Sequence, residues 1–480
     1  MGMQNNSNIK PGLIDTFNLS EETIKKILNL ALSRGGDFSE VFLEYRIFTF
    51  IKMEDDIIKE TAESIDLGMG VRVISGDKTG YGYSNNLSFK DMKKAALTAA
   101  QIASGKKKTT MFELFPVSSK FNLYQPLYPS HNASIKKKIN IVKRAYAAAL
   151  DFDTRIIKVT AALTDQIQNI VIANSEGLLI SDRRPLVKLT CMAIAEKNGQ
   201  REAGFYGGGG RVGLEYFDNI LTAEDIGKGS SQEAFHLLEA HLPPAGEMPV
   251  ILAPGHSGVL IHEAVGHLLE ADFIRKKTSI FWNKLGKKIG AETITIYDDP
   301  TIPFFRGSYN IDDEGTIPEK TCLVYQGILT DLLQDKLSAR MLGKKTNGHG
   351  RRQDHTCIPI PRMSNTFIDK GEFSAEEILK SVNKGFYALR FQGGQVEDSG
   401  KFTFSVSSGY LIEKGKKTVP IKQATLIGSN IDILNKIEMV GSDLEFGLQT
   451  GVCGKDGQGV PVNDGCPTLK ISAMTVGGIR

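Results

Sequence analysis

The stretch His262-Glu263-Ala264-Val265-Gly266-His267 is the most informative part of this sequence, and it lies in a segment whose apolar residues predict a helix. Neutral imidazole is a favoured zinc ligand, and a Glu beside the first imidazole can take a proton from a zinc-bound water. On a regular helix, residues five apart are separated by about 140° around the axis. Both imidazoles can therefore bind one metal only if the helix widens, as in a π-bulge, or ends between them, and Gly266 is where such a distortion would cost least.

The residues around this motif predict a β-rich second half. An apolar strand, Val250–Ala253, precedes the motif, and short strand-like segments alternate with glycine turns from Thr293 onward. Proline and glycine in residues 243–249 are expected to break regular structure, so we place a domain boundary there. The sequence thus predicts an α+β protein, with a mixed α/β N-terminal domain (1–242) and a β-rich C-terminal domain (243–480) that carries the zinc-binding helix.

The first half alternates between helical and strand patterns. Its predicted helices cover Ser20–Leu32, Ser88–Ala103, Ser134–Leu150 and Ala223–Glu239. Its predicted strands cover Phe38–Tyr45, Val71–Ile74, Gly80–Tyr83, Ile156–Thr164, Ile167–Ala173, Leu178–Arg183 and Val187–Glu196. The run Gly207–Gly210 lacks the Lys and Ser/Thr of a phosphate-binding P-loop, so we interpret it as a flexible or closely packed loop.

Composition argues against several functional classes. The 480 residues include 58 Lys and Arg against 55 Asp and Glu, a balance that gives no reason to expect nucleic acid or an anionic membrane as partner. Short basic clusters such as Lys106–Lys108 are interpreted as solvated surface. No apolar run reaches the length of a membrane span, and Met1–Asp15 lacks the apolar core of a secretion signal. Five cysteines without close metal-ligand spacing indicate a reducing compartment, so the predicted location is cytoplasmic.

A third metal ligand has to come from outside the motif, because a catalytic zinc usually takes three protein ligands and leaves one position for water. The residue types alone leave Glu270, His256, His349, His355 and the cysteines as candidates. Cys453 is the most prominent cysteine, because the small residues of Thr450–Gly459 would let a thiolate approach a metal closely. A single cysteine is more often a small buried hydrophobe, so these alternatives stay open at this point.

Several motifs, in one order, resemble the TldD/PmbA family of metalloproteases. Besides the HExxxH motif they are Leu268–Asp272, Gly350–Gln353, Pro359–Thr366, Tyr410–Gly415, Ala424–Gly428, Cys453–Lys455, Pro467–Leu469 and Thr475–Gly478. In that family, TldD-type subunits carry the motif and bind zinc through two His and a distal Cys, whereas PmbA-type (TldE) subunits lack it. The resemblance is therefore to the catalytic TldD type. It implies that His262, His267 and Cys453 bind one zinc per chain and that Glu263 is the catalytic carboxylate.

The predicted function is that of a zinc-dependent peptidase in which a metal-activated water attacks the peptide bond, with Glu263 as general base. The resemblance implies small or unfolded peptides as substrates, which an exposed sheet edge would bind by strand addition. It also implies a dimer, either a homodimer or a heterodimer with a TldE/PmbA-like subunit. The competing hypotheses are a non-catalytic binding or scaffold subunit of such a complex and a zinc amidase that acts on a non-peptide substrate.

Further polar residues are candidates for roles around the metal. Arg351, Arg352, His355 and Tyr410 are candidates for contacting the substrate or its oxyanion, and the alternative for the Arg pair is an ordinary surface salt-bridge cluster. Glu270, together with Asp272, is a candidate for orienting the His ligands, and the alternative there is a solvated helix face.

Overall fold

The computed structural model describes residues 16–105, 112–397 and 400–478. Two stretches interpreted above, Met1–Asp15 and Lys106–Lys108, lie outside these residues. Within the described part of the chain, no helix is long and apolar enough to cross a membrane.

The α-helices are α1 (Glu21–Ala31), α2 (Phe89–Ile102), α3 (Ile135–Leu150), α4 (Tyr216–Asn219), α5 (Ala223–Leu238), α6 (Val259–Ile261), α7 (Ala271–Lys276), α8 (Lys336–Leu342), α9 (Ala375–Lys380) and α10 (Asn430–Lys436). The strands are β1 (Phe38–Glu54), β2 (Ile57–Ser75), β3 (Lys78–Ser84), β4 (Phe115–Pro116), β5 (Ile156–Asn174), β6 (Leu178–Lys197), β7 (Gln200–Gly210), β8 (Gly246–Leu252), β9 (Ile296–Asp298), β10 (Thr321–Tyr325), β11 (Ile328–Leu329), β12 (Gly350–Arg351), β13 (Ile360–Pro361), β14 (Asn365–Ile368), β15 (Lys384–Val396), β16 (Lys401–Glu413), β17 (Lys416–Ser429), β18 (Ile437–Val440), β19 (Glu445–Phe446), β20 (Val452–Lys455), β21 (Gln458–Pro461), β22 (Asn463–Cys466) and β23 (Leu469–Gly477).

Side-chain caps fix where the main helices of the first half begin. The hydroxyls of Ser20, Ser88 and Ser134 each accept a hydrogen bond from the backbone N–H three residues later. Thr222 forms a capping box with Asp225 at the start of α5. The four predicted helices are confirmed, and their observed ends lie within one residue of the predicted ones.

One sheet organises the first half. Its strands follow the order β3-β2-β1-β5-β6, with β7 and the short β4 both paired to β6. All neighbours are antiparallel except β4, which runs parallel to β6. Helices α1 and α2 cover the end formed by β1–β3, and α3 and α5 cover the region around β5–β7.

Two predicted strand breaks in this sheet are wrong. Residues 156–174 form one strand instead of two, and so do residues 178–197, because β5 and β6 pair almost continuously along their length. Pro185 lies just beyond the last pairing of β7, which joins Val187 to Gly210. At Pro185, strand β6 therefore has a neighbour on one side only, and this is the setting in which a strand tolerates a proline.

The glycine run Gly207–Gly210 is also not a loop, since it forms the end of β7. Close packing explains the glycine at Gly209, where an added Cβ would lie 2.0 Å from the carbonyl oxygen of Val187. Its φ of 155° is a conformation that side-chain-bearing residues rarely adopt. The glycines therefore allow β7 to pack closely against β6.

The second half is β-rich, as predicted, and contains two larger sheets. Strands β17, β16, β15, β8 and β23 form a closed ring, because β17 pairs with both β16 and β23. The other sheet has the order β11-β10-β9-β14-β22-β19. The segment that carries the HExxxH motif contacts β14, β15 and β22, so it lies between the two sheets.

Two details of the second half differ from expectation. Strands β15–β17 are 13 or 14 residues long, longer than the short segments predicted from glycine spacing. Strand β8 already begins at Gly246, inside the stretch expected to break regular structure. The first sheet ends with β7 and the other large sheets begin with β8, so we retain the division between residues 242 and 243 as a proposed domain boundary.

Candidate metal centre

The motif segment is helical but irregular. A single α-helical turn, α6, leads into a π-helical turn over His262–Gly266, and a 3₁₀ turn, His267–Leu269, follows. The N–H of His267 donates to the carbonyl of His262 across the wide turn. The extra residue brings the two imidazole rings together, with centroids 5.2 Å apart and planes at 86°. Of the two expected distortions, a widened helix or a helix end between the histidines, the structure has the first.

Gly266 is needed for space at this turn. Its φ of −53° and ψ of −56° are ordinary helical values, so conformational freedom is not the reason for glycine. An added Cβ would lie 1.9 Å from Sδ of Met363, a fully buried side chain. Glycine therefore lets Met363 pack directly beneath the π-turn.

Cys453 comes from a β-hairpin and not from an open glycine loop. Strands β20 and β21 pair with Cys453 opposite Val460, and the turn residues Asp456 and Gly457 both have positive φ, as in a type I′ turn. The buried Arg362 donates to the carbonyls of Cys453 (2.5 Å) and Gln458 (3.2 Å). This guanidinium ties both strands of the hairpin to the motif side of the site.

His262, His267 and Cys453 form a cluster that fits a metal ion. One ligand atom from each lies within 4.8 Å of the others, and Sγ of Cys453 is 3.3 Å from Nε2 of His267. Tetrahedral zinc with Zn–N and Zn–S bonds of about 2.0–2.3 Å separates its ligand atoms by roughly 3.3–3.6 Å. Three ligands of this kind leave one tetrahedral position for a water or a substrate oxygen.

Three of the alternative third ligands, His349, His355 and Glu270, have other partners. His349 lies near Thr321 and Asp298, and His355 contacts Glu44 and Asn85. Glu270 contacts a ligand imidazole instead of joining the cluster.

Each of the two candidate ligand imidazoles has a carboxylate at its Nδ1. Nδ1 of His262 is 2.8 Å from Oδ1 of Asp464, and Nδ1 of His267 is 3.1 Å from Oε2 of Glu270. Carboxylates in this position orient metal-binding imidazoles and make them more basic. The arrangement leaves Nε2 of each ring for the metal.

A second layer of charges holds Glu270 in place. Its Oε2 lies 3.0 Å from Nζ of Lys455, which is also 2.7 Å from Oδ1 of Asp272. Burial opposes ionisation of Glu270, but Lys455, His267 and Arg362 lower the pKa of this carboxyl to about 2. Glu270 is therefore an anion at neutral pH although it is completely buried.

The ligand groups favour the form of cysteine that binds metals. Burial disfavours the charged forms of His262, His267 and Cys453. Attraction to Asp464 and Cys453 nevertheless raises the pKa of His262 well above its usual value. Attraction to Glu270 and Cys453 raises the pKa of His267 to about 10. The same attraction outweighs burial at Cys453 and lowers the pKa of its thiol well below the usual value. In the metal-free site a thiolate is thus the stable state beside two protonated imidazoles, and binding of a metal would displace the protons from Nε2 of both rings.

Glu263 lies on the accessible side of the cluster. Its side chain is 26% exposed to solvent, and its Oε2 is 3.9 Å from Nε2 of His267. Burial is the main cause that raises the pKa of this carboxyl above its usual value.

The other predicted residues do not meet at the cluster. Arg352 and His355 bind the first-half sheet through Glu40 and Glu44, and Arg351 donates to backbone carbonyls. The hydroxyl of Tyr410 lies 3.3 Å from Nδ1 of His236 on α5. A direct contact of these residues with substrate stays a prediction.

Sequence reasoning gave no role to Asp464, Arg362 or Lys455. Of the three, Lys455 was the easiest to predict from the sequence. It lies two residues after Cys453, and in a strand this spacing places both side chains on the same face. Asp464 and Arg362 come from β22 and from the segment before β14, and no spacing links them to the motif.

Three family models match successive parts of the chain. They describe PmbA/TldA metallopeptidase domain 1 (39–103), the central domain (128–238) and the C-terminal domain (245–478). The chain belongs to the PmbA/TldD metallopeptidase family. The resemblance inferred from the motifs is confirmed, and the C-terminal match contains all three residues of the metal cluster.

Curated relatives of this family match nearly the whole chain. A metalloprotease TldD homolog of Haemophilus influenzae is 41% identical over 472 residues, covering 97% of this chain and 98% of its own. A metalloprotease TldD homolog of Buchnera aphidicola is 40% identical, covering 98% and 99%. A metalloprotease of Methanocaldococcus jannaschii is 33% identical, covering 93% and 97%.

Solved structures of low sequence identity share the fold. A Thermotoga maritima protein superposes with a TM-score of 0.78 at 23% identity, covering 95% of this chain and all of its own. TldE from Thermococcus kodakarensis superposes with a TM-score of 0.76 at 19% identity, with the same coverage. Both establish that this PmbA/TldD chain has the architecture of those proteins.

Proposed function

We propose that this PmbA/TldD chain is a zinc-dependent peptidase. The observation that carries the proposal is the convergence of His262, His267 and Cys453 around one point with Glu263 beside them. A zinc ion held by these three side chains would supply Lewis-acid chemistry toward the scissile carbonyl and a water. Two neutral imidazoles and one thiolate are a donor set that zinc accepts.

Glu263 acts as the general base in this proposal. Its carboxylate takes the proton of the attacking water and later delivers it to the leaving amine. Burial raises the pKa of Glu263, and this makes its carboxylate a stronger base than an exposed Glu. The Cys453 thiolate would donate more charge to a bound zinc ion than a third imidazole and would make it a weaker Lewis acid, so proton transfer by Glu263 would matter more.

The proposed substrates are small or unfolded peptides. A cavity of about 350 Å³ lies between the two halves, lined in part by His256, Phe391, Leu448 and Thr450. Of these residues, His256 precedes the HExxxH motif in the sequence and Thr450 precedes the Cys453 hairpin. This volume is at the lower end for ligand pockets, so it suits a few extended residues and not a folded domain. Equal cleavage rates for folded and unfolded forms of one protein would contradict this substrate class.

Replacing Glu263 by Gln tests the catalytic role. We expect peptide turnover to fall by about 10²–10⁴-fold, because proton transfer is lost while the size of the side chain is kept. Zinc content should stay at the wild-type level, since Glu263 is not a ligand. The matched control is Glu292→Gln, at an exposed carboxylate that pairs with Lys288. Near wild-type cleavage by Glu263→Gln would contradict the proposed mechanism.

The second candidate function is that of a non-catalytic subunit, and the fold shared with TldE supports it. This hypothesis predicts no peptide turnover by the isolated chain or by its complex. The complete three-ligand cluster with an adjacent Glu favours the enzyme instead. A zinc amidase acting on a non-peptide would share the metal and the dependence on Glu263 but would leave peptides intact.

We further propose a dimer in the cytoplasm, either with a second copy of this chain or with a TldE/PmbA-like subunit. None of the five cysteines forms a disulfide within the described residues, in keeping with a reducing compartment. Native mass measurement of the purified chain, alone and with a TldE-like protein, distinguishes the two kinds of dimer.

A further inference from the structure

A small cavity between the first-half sheet and the Cys453 hairpin is crowded with arginines. Its volume is about 170 Å³. Both halves of the chain contribute to it, and its arginines are Arg46, Arg184, Arg211, Arg306, Arg351 and Arg352.

Three of these guanidiniums have carboxylate partners. Arg46 pairs with Asp66 at 2.7 Å, Arg184 pairs with Asp313 at 2.5 Å, and Arg352 pairs with Glu40 at 2.5 Å. Asp313 also lines the cavity, but its carboxylate is already bound to the Arg184 guanidinium and to a backbone N–H.

The other three, Arg211, Arg306 and Arg351, have no carboxylate partner within the described residues. Arg211 donates to the carbonyl of Ser308 at 3.0 Å, and Arg306 donates to that of Gly451 at 2.7 Å. Arg351 donates to two carbonyls at 2.5 and 2.8 Å and lies against the ring of Tyr309. Backbone carbonyls satisfy some N–H groups, but they do not neutralise three positive charges.

These uncompensated cations are almost completely buried. Arg306 is only 5% exposed, and its Nη1 has no hydrogen-bond partner in the described part of the chain. Burial, with repulsion between neighbouring guanidiniums, lowers the pKa of Arg306 to about 9 and that of Arg211 to about 10. A buried charge is normally paired, so this cluster lacks its counter-ion.

We propose that the arginine cavity binds a small oxyanion, a carboxylate or a phosphate. Guanidinium groups match the geometry of both, because they donate paired N–H groups in one plane. The cavity is smaller than the roughly 300 Å³ at which pockets for drug-sized ligands begin, so it accepts an anionic group and not a whole nucleotide.

This oxyanion site is separate from the metal cluster. Val452 and Pro461 line the cavity and form a cross-strand pair of the hairpin, whereas Cys453 pairs with Val460. Side chains alternate between the two faces of a strand, so the cavity lies on one face of the hairpin and the metal ligand on the other. The anion can come free from solution or belong to a carboxylate of a bound peptide.

Calorimetric titration of the full chain with inorganic phosphate tests the proposal, with ionic strength held constant by chloride. We expect saturable binding that is weakened at least about tenfold in Arg306→Gln and unchanged in Arg201→Gln, at an exposed arginine paired with Glu196. In phosphate-free buffer, Arg306→Gln should melt at the wild-type temperature or above it, because a buried uncompensated charge is removed. Phosphate should then raise the melting temperature of wild type and of Arg201→Gln by the same amount, and that of Arg306→Gln by less.

A second arm distinguishes the sources of the anion. A short peptide with a free C-terminal carboxylate is titrated into the phosphate-loaded Glu263→Gln variant, in which the peptide is not consumed, and its C-terminal amide serves as control. Displacement of phosphate by the acid but not by the amide supports a substrate carboxylate as the occupant, and no displacement supports a free anion. Absence of saturable phosphate binding to wild type, or equal binding to Arg306→Gln, would overturn the proposal. Either result leaves the peptidase proposal untouched.

Discussion

Replacing Glu270 by Gln tests how strongly a buried carboxylate supports the proposed metal ligands. Oε2 of Glu270 lies 3.1 Å from Nδ1 of His267 and 3.0 Å from Nζ of Lys455, and the side chain has no solvent exposure. The amide keeps the size and an acceptor oxygen but removes the negative charge. We expect zinc affinity to fall about 10–100-fold, or roughly 1.4–2.7 kcal/mol, because His267 loses its anionic partner.

The metal-free protein should also become less stable. Removing one partner of a buried ion pair costs about 3–5 kcal/mol when the other charge is left alone. Here Lys455 keeps Asp272 at 2.7 Å and the carbonyl of Pro361 at 3.2 Å. We therefore expect the loss for Glu270→Gln to be smaller, about 2–3 kcal/mol.

Two measurements separate these effects. Competition with a chromophoric chelator gives the zinc affinity, and denaturant unfolding of the metal-free protein gives the stability. Asp272→Asn is the matched control, because Asp272 binds the same ammonium but makes no contact with His267. The control should lose stability and keep its zinc affinity. Zinc binding by folded Glu270→Gln within about twofold of wild type would refute the argument from the imidazole contact.

Three further outcomes follow from the packing and charges. Gly266→Ala should destabilise the protein by about 1–3 kcal/mol and weaken zinc binding, because its Cβ overlaps Met363; a more stable variant with normal affinity would contradict the account. Arg352→Met should cost about 3 kcal/mol in chemical denaturation, since it removes one of the cations around buried Glu40; an unchanged midpoint would show that this ion pair contributes nothing. A chelator should lower the melting temperature of wild type and of Glu263→Gln equally, and a smaller shift in the variant would make Glu263 a ligand.

The helices of the first half were predictable because local features define them. Ser20, Ser88 and Ser134 each precede an apolar stripe, and their side chains cap the helices observed. The strands were less predictable, because pairing with neighbours decides their length. Pro185 and Gly209 would each end an isolated strand. In this sheet Pro185 lies where the neighbouring strand β7 has already ended, and Gly209 lies where the backbones of β7 and β6 approach closely.

The metal cluster was only partly predictable from the residues. The five-residue spacing of His262 and His267 required a distortion of the helix, and a π-turn provides it. Residue types alone could not select Cys453 from the other candidates, because the contact joins positions 186 apart. Its selection came from the family resemblance. The supporting groups Asp464 and Arg362 were missed because only the folded chain brings them to the ligands.

Metal content of the purified chain tests the central claim most directly, measured by atomic spectroscopy for wild type, Cys453→Ser and the control Cys322→Ser. We expect about one zinc per chain in wild type and in the control, since Cys322 lies outside the cluster. Cys453→Ser should contain little or no zinc, because the serine hydroxyl replaces the thiolate ligand. Full zinc in Cys453→Ser, or none in wild type under reducing, chelator-free conditions, would contradict the His-His-Cys centre.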